Sequence, residues 1–336
     1  MPGPSSSKNV TLKMIAERLG VSVTTVARAV NGSPKTSVEM TEKVNRVAEE
    51  LGYVRNMEGV KLRTGRTFVL TALLNFPTDT EIGDPTLLGI LQGIHQRCAN
   101  SDYSIQTIIA PDGGEDIREL EKLVRGRATD GVIMDHTTPQ DTRAKYLLEM
   151  ELPFVTFGRT ELFSQHAYFD VDNEFAAWQG TKELIRLGHK NIALLDGPAE
   201  FTYVLQRMAG YKRALAEEGL SYRETLVRNL DPQANVAREA AAELVRTTDT
   251  DSFVCVNDIV LMGARRGVRD AAANRIEEFN FSVRSGTNLG DYLAKRPITS
   301  YFSRLDAGWN LADMLIRQIE GEAPAVLQQI VKTELL

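Results

Sequence analysis

The chain has 336 residues, 43% of them hydrophobic and 25% charged, which is enough for one small and two medium domains, each with a core of its own. It lacks any run of about 18 apolar residues, so no membrane-spanning helix is expected. The formal net charge of −6 divides unevenly: residues 1–66 carry 11 Lys plus Arg against 6 Asp plus Glu, a net of +5, and the other 270 carry 28 against 39, a net of −11.

Residues 1–8 are polar and rich in Pro and Ser without an apolar stretch, and they read as a disordered lead-in rather than a secretion signal. From Thr11, placed at a helix cap, Leu12, Ile15, Ala16 and Leu19 recur at i, i+3, i+4 and i+7, the spacing of an amphipathic helix. Gly20 supplies the left-handed turn that ends it, and the Ser22 hydroxyl caps a second helix beginning near Val23. Val26, Ala29 and Val30 face inward on that helix, which leaves Val23, Thr24, Thr25, Ala27 and Arg28 for a partner or solvent. A third helix follows, capped by Thr36 or Ser37, with Met40, Val44, Val47 and Leu51 inside and Gly52 as its stop. Two short helices joined by a glycine turn form a helix-turn-helix, whose second helix reads base edges in the major groove. A generic three-helix bundle gives the same stripes. The net of +5 on this segment is the sign that phosphates require, and it favours DNA. The segment 56–66 that follows is a basic connector.

Beyond residue 67 short β-branched runs alternate with amphipathic stretches. Strands are predicted at 68–74, 104–109, 131–134 and 153–156, with helices at 87–99 and 116–125 between them. A second series has strands at 191–195, 224–228 and 252–256 and helices at 204–218 and 232–246. Such alternation implies an α/β fold with parallel sheets flanked by helices, and two series imply two lobes. Ligands of such sheets sit beyond the carboxyl ends of the strands. That places Asp84, Thr86, His136, Arg159, Asp172, Phe201, Tyr203, Arg207, Asn257 and Asp258 as candidates for binding a small effector in a cleft. A strand-end Asp is equally a helix cap, an Arg an ion-pair partner and an aromatic a core residue.

Specific motifs carry the reading further. Val21, Ser22, Thr25, Val26, Arg28, Val30 and Asn31, then Glu42-Lys43-Val44, then Leu51-Gly52-Tyr53 with Asn56 fall in order. They are followed by Asp172-Asn173, Leu187-Gly188-His189-Lys190-Asn191-Ile192-Ala193, Gly197-Pro198, Arg207 with Gly210-Tyr211, and Asn257-Asp258. Over residues 9 to 336 this pattern resembles the lactose-repressor (LacI/GalR) family of bacterial transcription regulators. The resemblance implies a helix-turn-helix domain at 9–55, a hinge at 56–66 and, at 67–336, a two-lobed effector-binding and dimerisation domain like the periplasmic binding proteins. It implies a cytoplasmic homodimer on a pseudo-palindromic operator, acting as a repressor of carbohydrate-utilisation genes that a bound sugar releases. Thr11, Leu12, Ser22, Val23, Thr24, Thr25, Arg28, Asn31 and Asn56 are then expected at DNA. Leu62 takes the place of the hinge leucine that wedges into the minor groove.

The chain departs from the family at several points. Arg55 replaces a usual proline, Gly59 a usual alanine, and Glu58 adds a negative charge near DNA. Glycine costs roughly 0.8–1 kcal/mol relative to alanine inside a helix. A hinge helix and a flexible linker therefore both stand as readings. Thr86 replaces an aromatic, and Arg284, in Phe281-Ser282-Val283-Arg284-Ser285, replaces a sugar-binding aspartate. The arginine fits either an anionic effector, such as a sugar acid or sugar phosphate, or neutral hydroxyls. Together with Val155-Thr156-Phe157-Gly158-Arg159 it resembles the branch that responds to α-glucosides and oligosaccharides, so a disaccharide is preferred.

An enzyme is disfavoured. A helix-turn-helix sugar kinase would need a phosphate-binding glycine loop, and no P-loop, GxGxxG, GxSxG or HExxH occurs. Ser5-Ser6-Ser7-Lys8 matches S-x-x-K inside the lead-in and is a chance match. His95 and Cys98 lack further ligands for zinc, so neither metal nor cofactor is expected, and Cys98 and Cys255 read as buried free thiols.

Overall fold

The computed structural model describes residues 10–33, 35–54, 57–75, 85–110, 117–285 and 292–336, apart from the side chains of 58, 85, 86 and 110. The lead-in, Asn56, Asp84 and the side chain of Thr86 lie outside the described residues. Two compact units are present, one ending at Arg66 and one beginning at Thr67.

The first unit has helices α1 (Leu12–Leu19), α2 (Val23–Val30), α3 (Val38–Leu51) and α4 (Met57–Thr64). Ile15, Ala16, Val26, Ala29 and Val44 form its core, with Leu12, Leu19, Val30, Met40, Val47 and Leu51 packed around them. Ile15, Val26 and Val44 are 0% exposed, and each contributes about 1.5–3 kcal/mol by leaving water. Gly20 adopts φ 66°, so the turn between α1 and α2 uses a conformation that a β-carbon disfavours. Ser37, not Thr36, caps α3, accepting from the Met40 amide at 3.3 Å. Thr11 stands at the cap of α1 without a side-chain hydrogen bond. Of the two readings of the hinge, residues 57–64 take the helical one.

The second unit contains two six-stranded sheets. In chain order its elements are β1 (Val69–Asn75), α5 (Pro85–Cys98), β2 (Ser104–Ala110), α6 (Arg118–Arg125), β3 (Gly131–Met134), α7 (Thr142–Glu149), β4 (Phe154–Phe157) and β5 (Ala167–Val171). There follow α8 (Asn173–Arg186), β6 (Ile192–Asp196), α9 (Thr202–Glu217), β7 (Val227–Asn229), α10 (Ala234–Thr247), β8 (Ser252–Cys255), α11 (Asp258–Ala271), β9 (Asn280–Ser285) and β10 (Ile298–Tyr301). The last are α12 (Arg304–Ile319), β11 (Gln328–Val331) and β12 (Glu334–Leu335). The sheets have the order β11-β5-β4-β3-β1-β2 and β12-β10-β9-β8-β6-β7. All pairings are parallel except β10 with β12. The strand predicted at 224–228 is instead a single 3-10 turn over Glu224–Leu226 followed by β7, because the Arg223 carbonyl accepts from the Leu226 amide and closes a turn first.

Chain order and lobe membership differ. Helix α12 packs its Ala307, Leu311 and Leu315 into the first lobe beside Leu70, Ile90 and Ile133, whereas α8 packs Leu184 beside Tyr211 in the second. The backbone therefore crosses between lobes three times, at Asp172, at Phe302–Ser303 and at Lys332–Thr333. Helices α5 and α12 touch backbone to backbone. A β-carbon on Gly308 would sit 1.9 Å from the Ile90 carbonyl oxygen, so no other residue fits without separating the two helices.

Candidate DNA-binding face and effector cavity

On the first unit, the Ser22 Oγ accepts from the Thr25 amide at 3.0 Å and lies 2.8 Å from the Thr25 hydroxyl, which fixes the start of α2. Ser22, Val23, Thr24 and Arg28 are exposed, Val23 at 45%, while Thr25 and Ala27 are half-buried. Ser22, Val23 and Thr24 expose polar and methyl groups at the amino end of α2 and Arg28 adds a cation in its last turn, groups suited to a helix entering a major groove. Thr11 is exposed at the head of α1, and Leu12 is partly buried against the core. Asn31 ends α2: its Nδ2 donates to the Ala27 carbonyl at 2.5 Å and its Oδ1 accepts from Arg63 Nη2 at 3.0 Å, which ties α4 to α2. Leu62, on α4, is 88% exposed, so its side chain is open to a partner.

In the second unit a cavity of about 460 Å3 lies between the lobes. Both sheets reverse their strand order beside their first strand, between β1 and β3 and between β6 and β8, and the cavity opens at those two points. Asn75 ends β1, Asp135 and His136 follow β3, Gly197 and Pro198 follow β6, and Val256 and Asn257 follow β8. Further wall comes from Phe157, Asp170, Asn173, Asp231 and Arg284.

Six predicted effector residues, His136, Phe201, Tyr203, Arg207, Asn257 and Arg284, line this cavity. Phe201 and Tyr203 stack at 5.3 Å and 15°, and the His136 ring meets both edge-on at 5.2 and 5.8 Å. Arg207 is 3% exposed and grips Asp196: Nε lies 2.9 and 3.1 Å from the two carboxylate oxygens, and Nη2 donates to Oδ1. One edge of its fork is thus occupied within the lobe, and among the described residues Nη1 has no hydrogen-bond partner. Asn257 caps α11 through Oδ1, which accepts from the Val260 amide at 2.9 Å, leaving its amide hydrogens for the cavity. Burial lowers the Arg284 pKa to about 10, reinforced by the neighbouring Arg207 and Arg304 charges and opposed by Asp196 and Asp170.

Three predicted residues have structural work instead. Asp172 caps α8, accepting from the Phe175 amide at 2.9 Å. Asp258, 3% exposed, accepts from the Ser285 hydroxyl at 2.7 Å and pairs with Arg304 at 3.3 Å. Arg159 donates to Asp170 at 2.8 Å, and of the two it is Asp170 that lines the cavity. Desolvation holds the Asp170 carboxyl above its usual range even though Arg159 and the Val171 amide favour its ionised form.

Sequence reasoning missed Asn75, Asp135, Asp170, Asn173, Glu200, Asp231 and Gln233, all of which line the cavity. Asn75 and Asp135 sit beside strand ends already assigned, so the rule that found His136 would have found them. Asp231 follows the end of β7 by the same rule, and Asp170 was hidden by the absence of any prediction for β5.

Among the described residues no helix is long and apolar enough to cross a membrane, and no cluster of His, Cys, Asp and Glu suits a metal ion. Residues 11–56 match the family profile described as bacterial regulatory proteins, lacI family, and residues 78–333 that of periplasmic binding proteins and sugar binding domain of LacI family. The transcriptional regulator RafR of Escherichia coli is 30% identical over 95% of both chains, and CelR of Thermobifida fusca is 30% identical over 97% of this chain and 96% of its own. Among solved structures, a CelR–cellobiose complex is 27% identical with a TM-score of 0.73 and 98% of each chain covered. A lac repressor dimer bound to operator and an anti-inducer is 20% identical with a TM-score of 0.75 over 98% of each chain, and it shares the fold. The match of both profiles and the extent of these alignments establish that the chain belongs to the LacI family of bacterial regulatory proteins.

Proposed function

We propose that the protein is a cytoplasmic, homodimeric repressor of carbohydrate-utilisation genes, and that a neutral oligosaccharide of about disaccharide size, bound between the lobes, releases it from a pseudo-palindromic operator. In this reading residues 9–55 read the operator half-site, 56–66 form the hinge with Leu62 as its wedge, and 67–336 bind effector and dimerise. Val23, Thr24 and Arg28 face base edges, and Ser22, Thr25, Thr11, Leu12, Asn31 and Asn56 position the module.

The observation that carries the choice of ligand is the chemistry of the cavity wall. Phe201 and Tyr203 give the wall an aromatic surface suited to the C–H side of a pyranose, among carboxylates and amides suited to hydroxyls. Its volume of about 460 Å3 falls inside the roughly 300–1,000 Å3 span of small-molecule sites. Asp135, Asp170, Glu200 and Asp231 line the wall against Arg207 and Arg284. Arg207 is neutralised by Asp196 and Asp170 by Arg159, which leaves one cation, Arg284, and three carboxylates, Asp135, Glu200 and Asp231, in the lining. That balance disfavours a sugar acid or sugar phosphate. The relative crystallised with cellobiose supports the same class of ligand.

The effect on DNA follows from linkage. A ligand that contacts both lobes favours one lobe angle over another, and operator affinity changes by the difference in its affinity for the two states. The test is a thermal-shift series with cellobiose, maltose, gluconate and glucose 6-phosphate, followed by release from operator. A ligand at 100 times its Kd stabilises by about 2.7 kcal/mol. Stabilisation by a disaccharide but not by the two anions is expected, and the reverse pattern would overturn the neutral-sugar reading. For the DNA side, Thr24→Ala is expected to weaken operator binding while sparing random DNA, and equal losses on both would remove Thr24 from the reading face.

A further inference from the structure

Arg143, the second residue of α7, does not line the cavity, yet it is 0% exposed and organises the loop that does. Its guanidinium binds the Asp141 carboxylate through Nε at 3.1 Å and Nη2 at 2.7 Å, and Nη2, its two hydrogens shared among three acceptors, also lies 2.9 Å from each of the Asp135 and His136 carbonyl oxygens. Asp141 in turn accepts from the amides of Thr138, Arg143 and Ala144 at 3.0–3.3 Å. The turn from 135 to 141 is thereby closed into a ring around one buried ion pair.

Within that ring His136 holds φ 52°, a left-handed conformation that a residue with a β-carbon does not take without help. The help comes from the two carbonyl contacts. What they position is functional on both sides. Asp135, with Oδ1 accepting from the Asn75 amide at 3.0 Å, and the His136 ring both face the cavity. The same loop meets the other lobe, where the Thr202 amide donates to the Thr137 carbonyl at 2.9 Å and His136 packs on Phe201 and Tyr203. An apolar pair of similar volume in place of Arg143 and Asp141 would avoid burying two charges, but it would leave two carbonyls and three amides without their partners.

We propose that Arg143 is a positioning residue of the effector site: from behind the cavity wall it fixes the 135–138 loop, and so sets both the groups offered to the ligand and the contact by which the first lobe meets α9. The proposal rests on the reading of the cavity as the effector site, and its test keeps the two separable. In the full-length protein, Arg143→Lys keeps the charge but ends one bond short of Nη2 and lacks the Nε bond to Asp141, and Arg143→Met combined with Asp141→Asn leaves no unpaired buried charge. Hydrogen exchange is measured on the amides of 135–141 and of 199–204, with cellobiose and maltose titrations alongside. In both variants exchange in these two segments is expected to rise about tenfold while β1 and β3 keep their protection. Whichever disaccharide binds the parent is expected to bind about tenfold more weakly. Adding His136→Gly removes the left-handed demand, and the Arg143 substitution is then expected to cost less than in the parent. Unchanged exchange in a folded variant, or a rise spread evenly over the first lobe, overturns the proposal. Failure of the parent to bind any sugar overturns the effector reading while leaving the exchange experiment decisive for Arg143.

Discussion

On the face of α2 the exposed side chains of Val23, Thr24 and Arg28 project from a helix held by its own cap and core. At the cavity the polar groups are already engaged: Asp170 by Arg159 and Asn173, Arg207 by Asp196, Asn257 by the Val260 amide, Asp135 by the Asn75 amide. The difference teaches that the two sites respond to substitution in opposite ways. On the proposed DNA-binding face recognition would be removable with the fold intact, whereas at the proposed effector cavity binding and folding would use the same bonds.

Arg207→Met tests this comparison most severely. It leaves Asp196, 0% exposed, without its cation, and unfolding stability should fall by about 3–5 kcal/mol in urea titrations. A loss below about 1 kcal/mol would mean that the cavity wall is no more integrated than the surface. Arg28→Ala is the counterpart: operator affinity should drop by about 1–3 kcal/mol in anisotropy titrations, with stability changed by less than about 0.5 kcal/mol. Ser22→Ala probes the boundary between the two regimes, since it removes the cap of α2 and should cost about 1 kcal/mol of stability in the first unit, whereas Ser22→Asp should restore it.

The smallest effect is a slope. Burial lowers the His166 pKa, and the ring sits in a neutral network, with Nδ1 against the Ala167 carbonyl at 2.9 Å and Nε2 against the Thr160 hydroxyl at 2.9 Å. A histidine with a lowered folded pKa binds more protons when unfolded. Its stabilisation is therefore complete above the unfolded value near ~6.5 and is lost as pH falls toward the folded value. Stability measured from pH 7.5 down to 5 should decline less steeply in His166→Gln than in the parent, and an unchanged slope would exclude this histidine as a source.

The helix-turn-helix was legible almost residue by residue, because its determinants are local: the stripe from Leu12 to Leu19, the left-handed Gly20 and the Ser22 cap are all fixed within a few positions. The alternation of strands and helices was legible for the same reason. What pattern could not show was which polar residue meets which. Asp172 and Asp258 follow strands as ligand-binding residues do, but one caps a helix and the other meets Ser285 and Arg304, 27 and 46 residues away in sequence. The element missed at 167–171 shows the limit from the other side. Ala167-Tyr168-Phe169-Asp170-Val171 carries a charge in its middle, and only the contacts with Arg159 and Asn173 explain how an aspartate is tolerated in a buried strand.

The three crossings between the lobes have a mechanical consequence. A single connector would let one lobe swing and twist freely on the other. Three short ones, at Asp172, Phe302–Ser303 and Lys332–Thr333, would act as the hinge line of a door, permitting rotation about one axis and resisting twist. Thr333 is 4% exposed and bonded to Gln179 at 3.1 Å, so even the last of these strips is seated in the protein rather than slack. A ligand that draws the lobes together would then produce one reproducible displacement rather than a spread of orientations.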